Sequence, residues 1–511
     1  MSRDFEVLVV GGGPVGVKTL VELGHAGVQA VGIEQWPEMW KQARAVHFDA
    51  EAMRSFQPIG LASQVSGLTT PMRHYRMENE TGETLLSHVT GEWGPQAWPG
   101  ENLFHQPEID ALLRAEVERL PDVELRLGTK LLEIEEDTEG VHCRVETPEG
   151  TQRTLTARWV IACDGANSTV REASGISLEN LGVDDPWLVV DGRLHGTVDI
   201  EGDMVALGRH SRPALWLRLP GDRARIELKV LPDDDPDEII SPEGIARLSK
   251  GLLTPENFTP DRRSIYTFRA RVADTWRIGN VFLAGDAAHQ APPLFGQGLC
   301  AGMRDVANLA WKIRLVAQGR APESLLDTYE SERRPHAWYW VNKAATMANL
   351  VQTTDPAIAA RRDAHCRADP EAVCPPPAPA LGPGLHLGQA DPHAGRISAQ
   401  PTLPDGQRLD DIVGSRFLLA VTPELLAGLP ASVRTVLEDE PEIAVLSSPR
   451  HIRELLGAVE SSAVLVRPDR YVLGTARTPA EVEGLLGLLP LGNGREPRRQ
   501  MTRTEETAAQ C

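Results

Sequence analysis

Gly11, Gly13 and Gly16 stand in a G-x-G-x-x-G spacing directly after the apolar run Val7-Leu8-Val9-Val10. Glycine at the first position allows a tight turn, at the second lets the backbone approach a pyrophosphate, and at the third lets the following helix pack closely on the strand. The start of that helix adds free N–H groups and partial positive charge. A second strand is expected over residues 28–33 and ends at Glu34, about 20 residues beyond the glycines, where an acid can accept hydrogen bonds from a ribose diol. This spacing predicts a dinucleotide site without saying which dinucleotide.

Two later runs have the same logic of a strand ending in a polar turn. Trp159-Val160-Ile161-Ala162-Cys163 leads into Asp164-Gly165-Ala166-Asn167-Ser168, which read alone is a strand-to-helix turn with Asx- and Ser-type hydrogen bonds to the backbone. Val281-Phe282-Leu283-Ala284 leads into Gly285-Asp286, followed by Pro292-Pro293-Leu294-Phe295-Gly296-Gln297-Gly298. Asp286 is suited to bind a sugar-like hydroxyl, and the two glycines beside Gln297 offer bare N–H groups to a polar ring edge. An amphipathic helix follows, with Met303, Val306, Ala310, Ile313 and Ala317 on one face and Gly319 as its stop.

These turns need a layered scaffold. Residues 1–375 alternate short Val/Ile/Leu runs with helical patterns, the signature of an α/β domain. Within it, residues of about 70–100 and 182–270 look inserted, with strand-like runs suited to a sheet that covers a cofactor. A Pro/Gly linker over 376–385 separates a second, small α/β domain at 386–490, where Thr478 and Pro479 predict a helix start. The Arg/Glu/Thr-rich end, 491–511, is expected to be disordered.

Bulk properties narrow the function classes. The 511 residues carry 52 Lys+Arg against 72 Asp+Glu, a net charge of −20, which disfavours nucleic acid and anionic membrane as partners. Six cysteines without metal-type or disulfide-type spacing point to no metal site and to a reducing, cytoplasmic compartment. No continuous apolar run is long enough for a membrane span, and no export signal is expected at the start.

Together the three turns resemble those of the class A flavoprotein monooxygenases over about residues 5–350. The likeness is closer to the branch of 3-(3-hydroxyphenyl)propionate and phenol-type hydroxylases. It is carried by Arg44-Ala45-Val46-His47-Phe48-Asp49, by Met53-Arg54, and by Gly296-Gln297-Gly298-Leu299-Cys300-Ala301-Gly302-Met303-Arg304-Asp305. The resemblance implies a Rossmann-like FAD-binding domain with an inserted β-sheet substrate domain, and a thioredoxin-like domain at the C-terminus. It implies FAD contacts at Gly11, Gly13, Gly16, Glu34, Arg44, Gln106 and Asp286, with Pro293, Gly296 and Gly298 near the flavin ring. NADH or NADPH would serve as transient electron donor, and O2 would reach a small phenolic substrate through a flavin hydroperoxide. Tyr266 is the first candidate to meet the substrate hydroxyl and His47 the second, whereas His289 reads as structural. A Baeyer–Villiger or epoxidising oxygenase, and an FAD-binding protein without oxygenase activity, remain open, as does a homodimer. The C-terminal domain has no cysteine between Cys374 and Cys511, so a structural role is expected there rather than thiol exchange.

Overall fold

The computed structural model describes residues 3–39, 43–90, 93–369, 377–403 and 405–492. Residue 376 of the expected linker and residues 493–511 of the expected tail lie outside them, as do Cys374 and Cys511.

An eight-stranded sheet organises the first half of the molecule. Its parallel centre is built from Phe5–Val10, Ala30–Glu34, Val123–Leu127, Gln152–Ala162 and Val281–Leu283. The central residues Val7, Leu8 and Val9 are wholly buried, which is why that run is apolar without alternation: helices cover both faces of such a strand. The helix Pro14–His25 packs on Gln106–Arg119 and on Gln297–Ala317. Gly319, with a φ of +69°, closes the latter helix, and its N–H donates to Val316 O.

A second eight-stranded sheet is mostly antiparallel. Seven of its strands come from the two stretches that look inserted in the sequence: His74–Glu78 and Thr84–Val89 from the first, and Leu178–Leu194, Met204–Leu207, Ala214–Arg218, Arg223–Lys229 and Phe258–Ala273 from the second; the eighth, His289–Gln290, follows the third polar turn and pairs with Phe258–Ala273. One face buries Leu188, Val190, Trp216, Ile226 and Leu228 under the short helices Pro236–Ile239 and Pro242–Leu248. The opposite face carries Arg225 and Arg262, which reach back to the loop before His47, and Asp191, which pairs with both. A three-stranded sheet of His47–Asp49, Glu101–Phe104 and Thr69–Pro71 lies in this region.

The C-terminal unit holds a four-stranded sheet containing Phe417–Val421, Ile443–Leu446, Ala463–Val466 and Val472–Ala476. Thr478 and Glu481 form a reciprocal capping box at the start of its last helix, Pro479–Gly487. A buried polar joint ties this unit to the rest. The Arg467 guanidinium straddles Glu332 at 2.7 and 2.8 Å and reaches Asp469 at 2.6 Å. Lys312 Nζ donates to Glu332 at 2.7 Å, and Asn308 bridges Glu332 and Asp469 at 2.9 Å each. Burial pulls the Lys312 pKa down to about 8 despite the opposing pull of Glu332. For Glu332, burial opposes ionisation, but Arg467 and Lys312 outweigh it and hold the carboxyl far below its ordinary range. Among the described residues no helix is long and apolar enough to cross a membrane.

Candidate functional site

The three polar turns leave the same edge of the parallel sheet. Val10 pairs with Ala162 and Ile33, and Ala162 pairs with Leu283, so the next residues of all four strands emerge side by side at their carboxyl ends. Open α/β sheets bind their ligands at that edge.

Each glycine of the first turn meets a different constraint. Gly11 has a φ of +108°, and a Cβ there would lie 2.3 Å from Cys163 O. At Gly16 a Cβ would lie 1.9 Å from Gly11 O, so the helix closes on the strand only with glycine there. Gly13 differs: its φ of −69° suits any residue, and a Cβ would meet nothing within 4 Å. The space above Gly13 is thus free for a ligand at the helix N-terminus. Glu34 is fixed by the N–H groups of Gly12 at 2.7 Å and Trp36 at 3.0 Å, and an ionised carboxylate keeps further lone pairs for a hydroxyl.

The second and third turns are tied together. Arg171 Nη1 donates to Ala166 O at 3.1 Å and Ala287 O at 3.3 Å, and Gln290 Nε2 donates to Ala166 O at 3.0 Å. Asp305 supports both His289, at 2.7 Å, and the Gly285 N–H, at 3.1 Å, while Arg333 Nε holds its other oxygen at 3.0 Å. His289 is fully buried in this support. Asp286 beside it has an accessible carboxyl with no hydrogen-bond partner among the described residues. Protein surrounding it nonetheless raises its pKa by desolvation, against the attraction of His289 and Arg44. A side chain open to a groove yet walled in by protein reconciles the two observations.

The loop before His47 is held from three sides. Gln106 Oε1 accepts the N–H groups of Arg44 and Ala45 at 2.8 Å each, and its Nε2 donates to Asp110 at 3.1 Å. Arg225 donates to Ala43 O and Arg44 O at 2.8 Å each, and Arg262 also donates to Ala43 O. Asp191 pairs with both cations, at 2.7 and 3.2 Å. Gln106 is therefore used by the chain itself, with its oxygen shaping the loop that presents Arg44. The charge of Arg44 opposes the rise that burial imposes on the Asp286 pKa.

His47 forms a close ion pair with Glu101, and its Nδ1 lies 3.4 Å from Gly296 O. Burial alone would neutralise the imidazole, but Glu101 outweighs it and Cys300 adds to the effect, so the pKa stands well above the ordinary value. At Gly296 the φ is +61° and a Cβ would lie 2.3 Å from His47 Nδ1, so two constraints select glycine. Phe295 before it also has a positive φ, of 66°. Gly296 N–H closes a turn onto Pro293 O at 2.9 Å, and Gly298 has open space where a Cβ would be. Arg304 pairs with Asp49 and donates to Gln297 at 3.0 Å, which locks this turn to the His47 strand.

Tyr266 lies on Phe258–Ala273, on the strand face shared by Arg262, Phe268 and the buried Ala270. The Arg262 guanidinium sits 4.7 Å from its ring centroid. Since Arg262 also touches Ala43, Tyr266 belongs to the face that meets the Arg44 loop. Glu101, Asp191, Arg225 and Arg262 carry no sequence signal of their own, whereas Asp49, Arg304 and Asp305 stand in the motifs that carry the family resemblance, without a role that the sequence assigns.

The residues at the sheet edge suit FAD. Free space at Gly13 admits a pyrophosphate, Glu34 can take the ribose diol, and the exposed Asp286 can take hydroxyls of the ribityl chain. Residues 4–344 match the family described as FAD binding domain. The chain is 33% identical over 94% of both chains to a probable NADH-specific resorcinol 4-hydroxylase of Rhodococcus jostii (strain RHA1). It is 34% identical to the 3-(3-hydroxy-phenyl)propionate/3-hydroxycinnamic acid hydroxylase of Escherichia coli O139:H28, a match covering 69% of this chain and 63% of that protein. The crystal structure of the flavin-dependent monooxygenase PieE in complex with FAD and substrate superposes with a TM-score of 0.81 at 22% identity, covering 95% and 99% of the two chains. With a sheet edge built for a dinucleotide and a family match over most of its length, the chain belongs to the FAD binding domain family of flavin-dependent oxygenases.

Proposed function

We propose that this protein is an FAD-dependent monooxygenase that uses NADH and O2 to hydroxylate a small phenolic ring. The observation that carries the reading is the meeting of three polar turns at one sheet edge, where Asp286 is exposed and without a hydrogen-bond partner among the described residues and the space at Gly13 is free. The end-to-end similarity to a resorcinol hydroxylase supports the phenolic substrate and the choice of NADH.

The oxidative chemistry is supplied by bound FAD; the protein binds, orients and excludes water. In this reading Gly11, Gly13, Gly16, Glu34, Arg44 and Asp286 hold the cofactor, and Pro293, Gly296 and Gly298 border its ring. Gln106 acts through the Arg44 loop. Tyr266 meets the substrate hydroxyl and helps to remove its proton, since a phenolate ring is the better nucleophile. His47, kept cationic by Glu101, contributes positive charge beside the Gly296 turn. The 386–490 unit is read as a thioredoxin-like domain with a structural role, and residues 1–375 as the FAD-binding domain with its inserted substrate sheet.

The test is to purify the protein, record its flavin spectrum, and follow NADH and NADPH oxidation over a panel of phenols with product mass. Substrate-stimulated oxidation with one added oxygen on the ring is expected. Flavin without stimulated oxidation would favour a non-catalytic binding protein, and oxygen inserted into a ketone would favour a Baeyer–Villiger enzyme.

A further inference from the structure

Apart from the joint at Glu332, a second polar contact links the C-terminal unit to the flavin half, and it leads to the Gly296 turn. Tyr471 stands immediately before the strand Val472–Ala476 and is buried. Its hydroxyl donates to Glu51 Oε1 at 2.5 Å, across 420 residues of sequence. The other oxygen of Glu51 pairs with Arg304 Nε at 2.8 Å. Arg304 donates to Gln297 Oε1 at 3.0 Å and pairs with Asp49. Gln297 Nε2 then donates to Asp49 and to Phe295 O, at 3.2 Å each. An unbroken line of hydrogen bonds and ion pairs therefore runs from the C-terminal unit to the Phe295–Gly296 turn.

The same unit grips the short helix Ala50–Arg54 at two points. Glu51 is held by Tyr471, and Arg54 donates to the two oxygens of Asp410 at 2.5 and 3.1 Å. Asp49 caps this helix by accepting the Ala52 N–H at 2.8 Å, and it is also the last residue of the strand that carries His47. A buried phenol needs an acceptor, and an O–H donating to a carboxylate is among the stronger hydrogen bonds. Burial, with the Glu51 charge adding to it, holds the Tyr471 phenol well above its ordinary range, so it stays the donor. With one oxygen fixed in this way, Glu51 keeps the other turned to Arg304.

We propose that the C-terminal unit positions the flavin turn, with Tyr471 as the positioning residue that acts through Glu51 and Arg304. The proposal rests on the reading that Gly296 and Gly298 border the flavin ring. It gives a cofactor-directed role to a unit that has no cysteine between residues 386 and 490. Without the Tyr471 hydroxyl, Glu51 regains rotamer freedom, and Arg304 loses one of the two anions that aim it at Gln297.

Titration of the apoprotein with FAD, together with the visible circular dichroism of the bound flavin, tests the assignment. In Tyr471→Phe the FAD dissociation constant should rise about fivefold or more, and the flavin dichroism should change. Glu51→Gln keeps the side-chain volume, removes its charge from Arg304, and should act in the same direction; it decides if Tyr471→Phe does not fold. Glu442→Gln is the control. It weakens the pair with Arg314, 2.7 Å on each oxygen, near the other end of the helix Gln297–Ala317, and so loosens the same interface without touching Arg304. Both readouts should stay at wild-type values there. Wild-type affinity and dichroism in Tyr471→Phe, or in Glu51→Gln where that variant decides, would overturn the proposal, as would an equal shift in Glu442→Gln. A wild-type protein that binds no FAD would instead sink the FAD reading, and this proposal with it.

Discussion

Gly13 and Gly16 look alike in the sequence, but the structure assigns them opposite sensitivities. In Gly13→Ala the new methyl enters free space on a backbone with a φ of −69°. The apoprotein should then change by less than about 0.5 kcal/mol, since reduced freedom of the unfolded chain offsets the weaker helix start. The same methyl stands where a pyrophosphate must approach the N–H groups of the helix. Loss of one such charge-assisted hydrogen bond costs about 1.5–3 kcal/mol, which raises the FAD dissociation constant roughly 10- to 150-fold. In Gly16→Ala the methyl lies 1.9 Å from Gly11 O, and forcing helix from strand costs about 1–3 kcal/mol or more in the apoprotein itself. Urea unfolding of the apoproteins and fluorescence titration with FAD measure the two quantities separately. The reasoning is refuted if Gly13→Ala destabilises the apoprotein as much as Gly16→Ala does, or if it binds FAD as tightly as the wild type.

Other outcomes follow from the same geometry. Because the folded pKa of His47 is raised, the folded state binds this proton more tightly than the unfolded chain. Its contribution to stability is complete below about pH 6.5 and is lost as the pH rises through the folded value; Glu101→Gln should flatten that part of a stability-versus-pH curve and lower the pKa read by imidazole NMR. Arg225→Met leaves Asp191 with one cation fewer and removes two hydrogen bonds from the Arg44 loop; a loss of about 3 kcal/mol in urea unfolding and a weaker FAD complex are expected, and unchanged values in both would dismiss the bracing role. Tyr266→Phe should lower the rate of hydroxylated product by about 10²-fold or more while NADH oxidation continues without it, which a comparison of product with NADH consumed will show. Glu332→Ala leaves Lys312 and Arg467 buried without their shared anion, and should cost about 3–5 kcal/mol by the same unfolding measurement.

Much of the scaffold is legible in the chain because local rules and tertiary demands coincide there. The apolar runs at residues 7–10, 159–162 and 281–283 are strands of the parallel sheet, and Gly11, Gly16 and Gly319 each meet the steric demand that their type advertises. The bracing of the site is not legible in the same way. Glu101 meets His47 across 54 residues and Arg225 meets Ala43 across 182; a lone acid or arginine on a strand gives no sign of a partner so far away. Gln106 shows the difference in kind: its position at a helix start is readable, but the direction of its amide, toward the Arg44 backbone, depends on a loop placed by the second sheet.

The joint of Lys312, Glu332, Arg467 and Asp469 bears on how this chain can change over evolutionary time. Two of its members belong to the long helices of the flavin half and two to the C-terminal unit. Exchanging the unit for an unrelated one would strand Glu332 and Lys312 together in an apolar interior without the guanidinium that balances them. The proline-rich segment looks like a place to recombine modules, but the two halves it joins are heritable only as a pair.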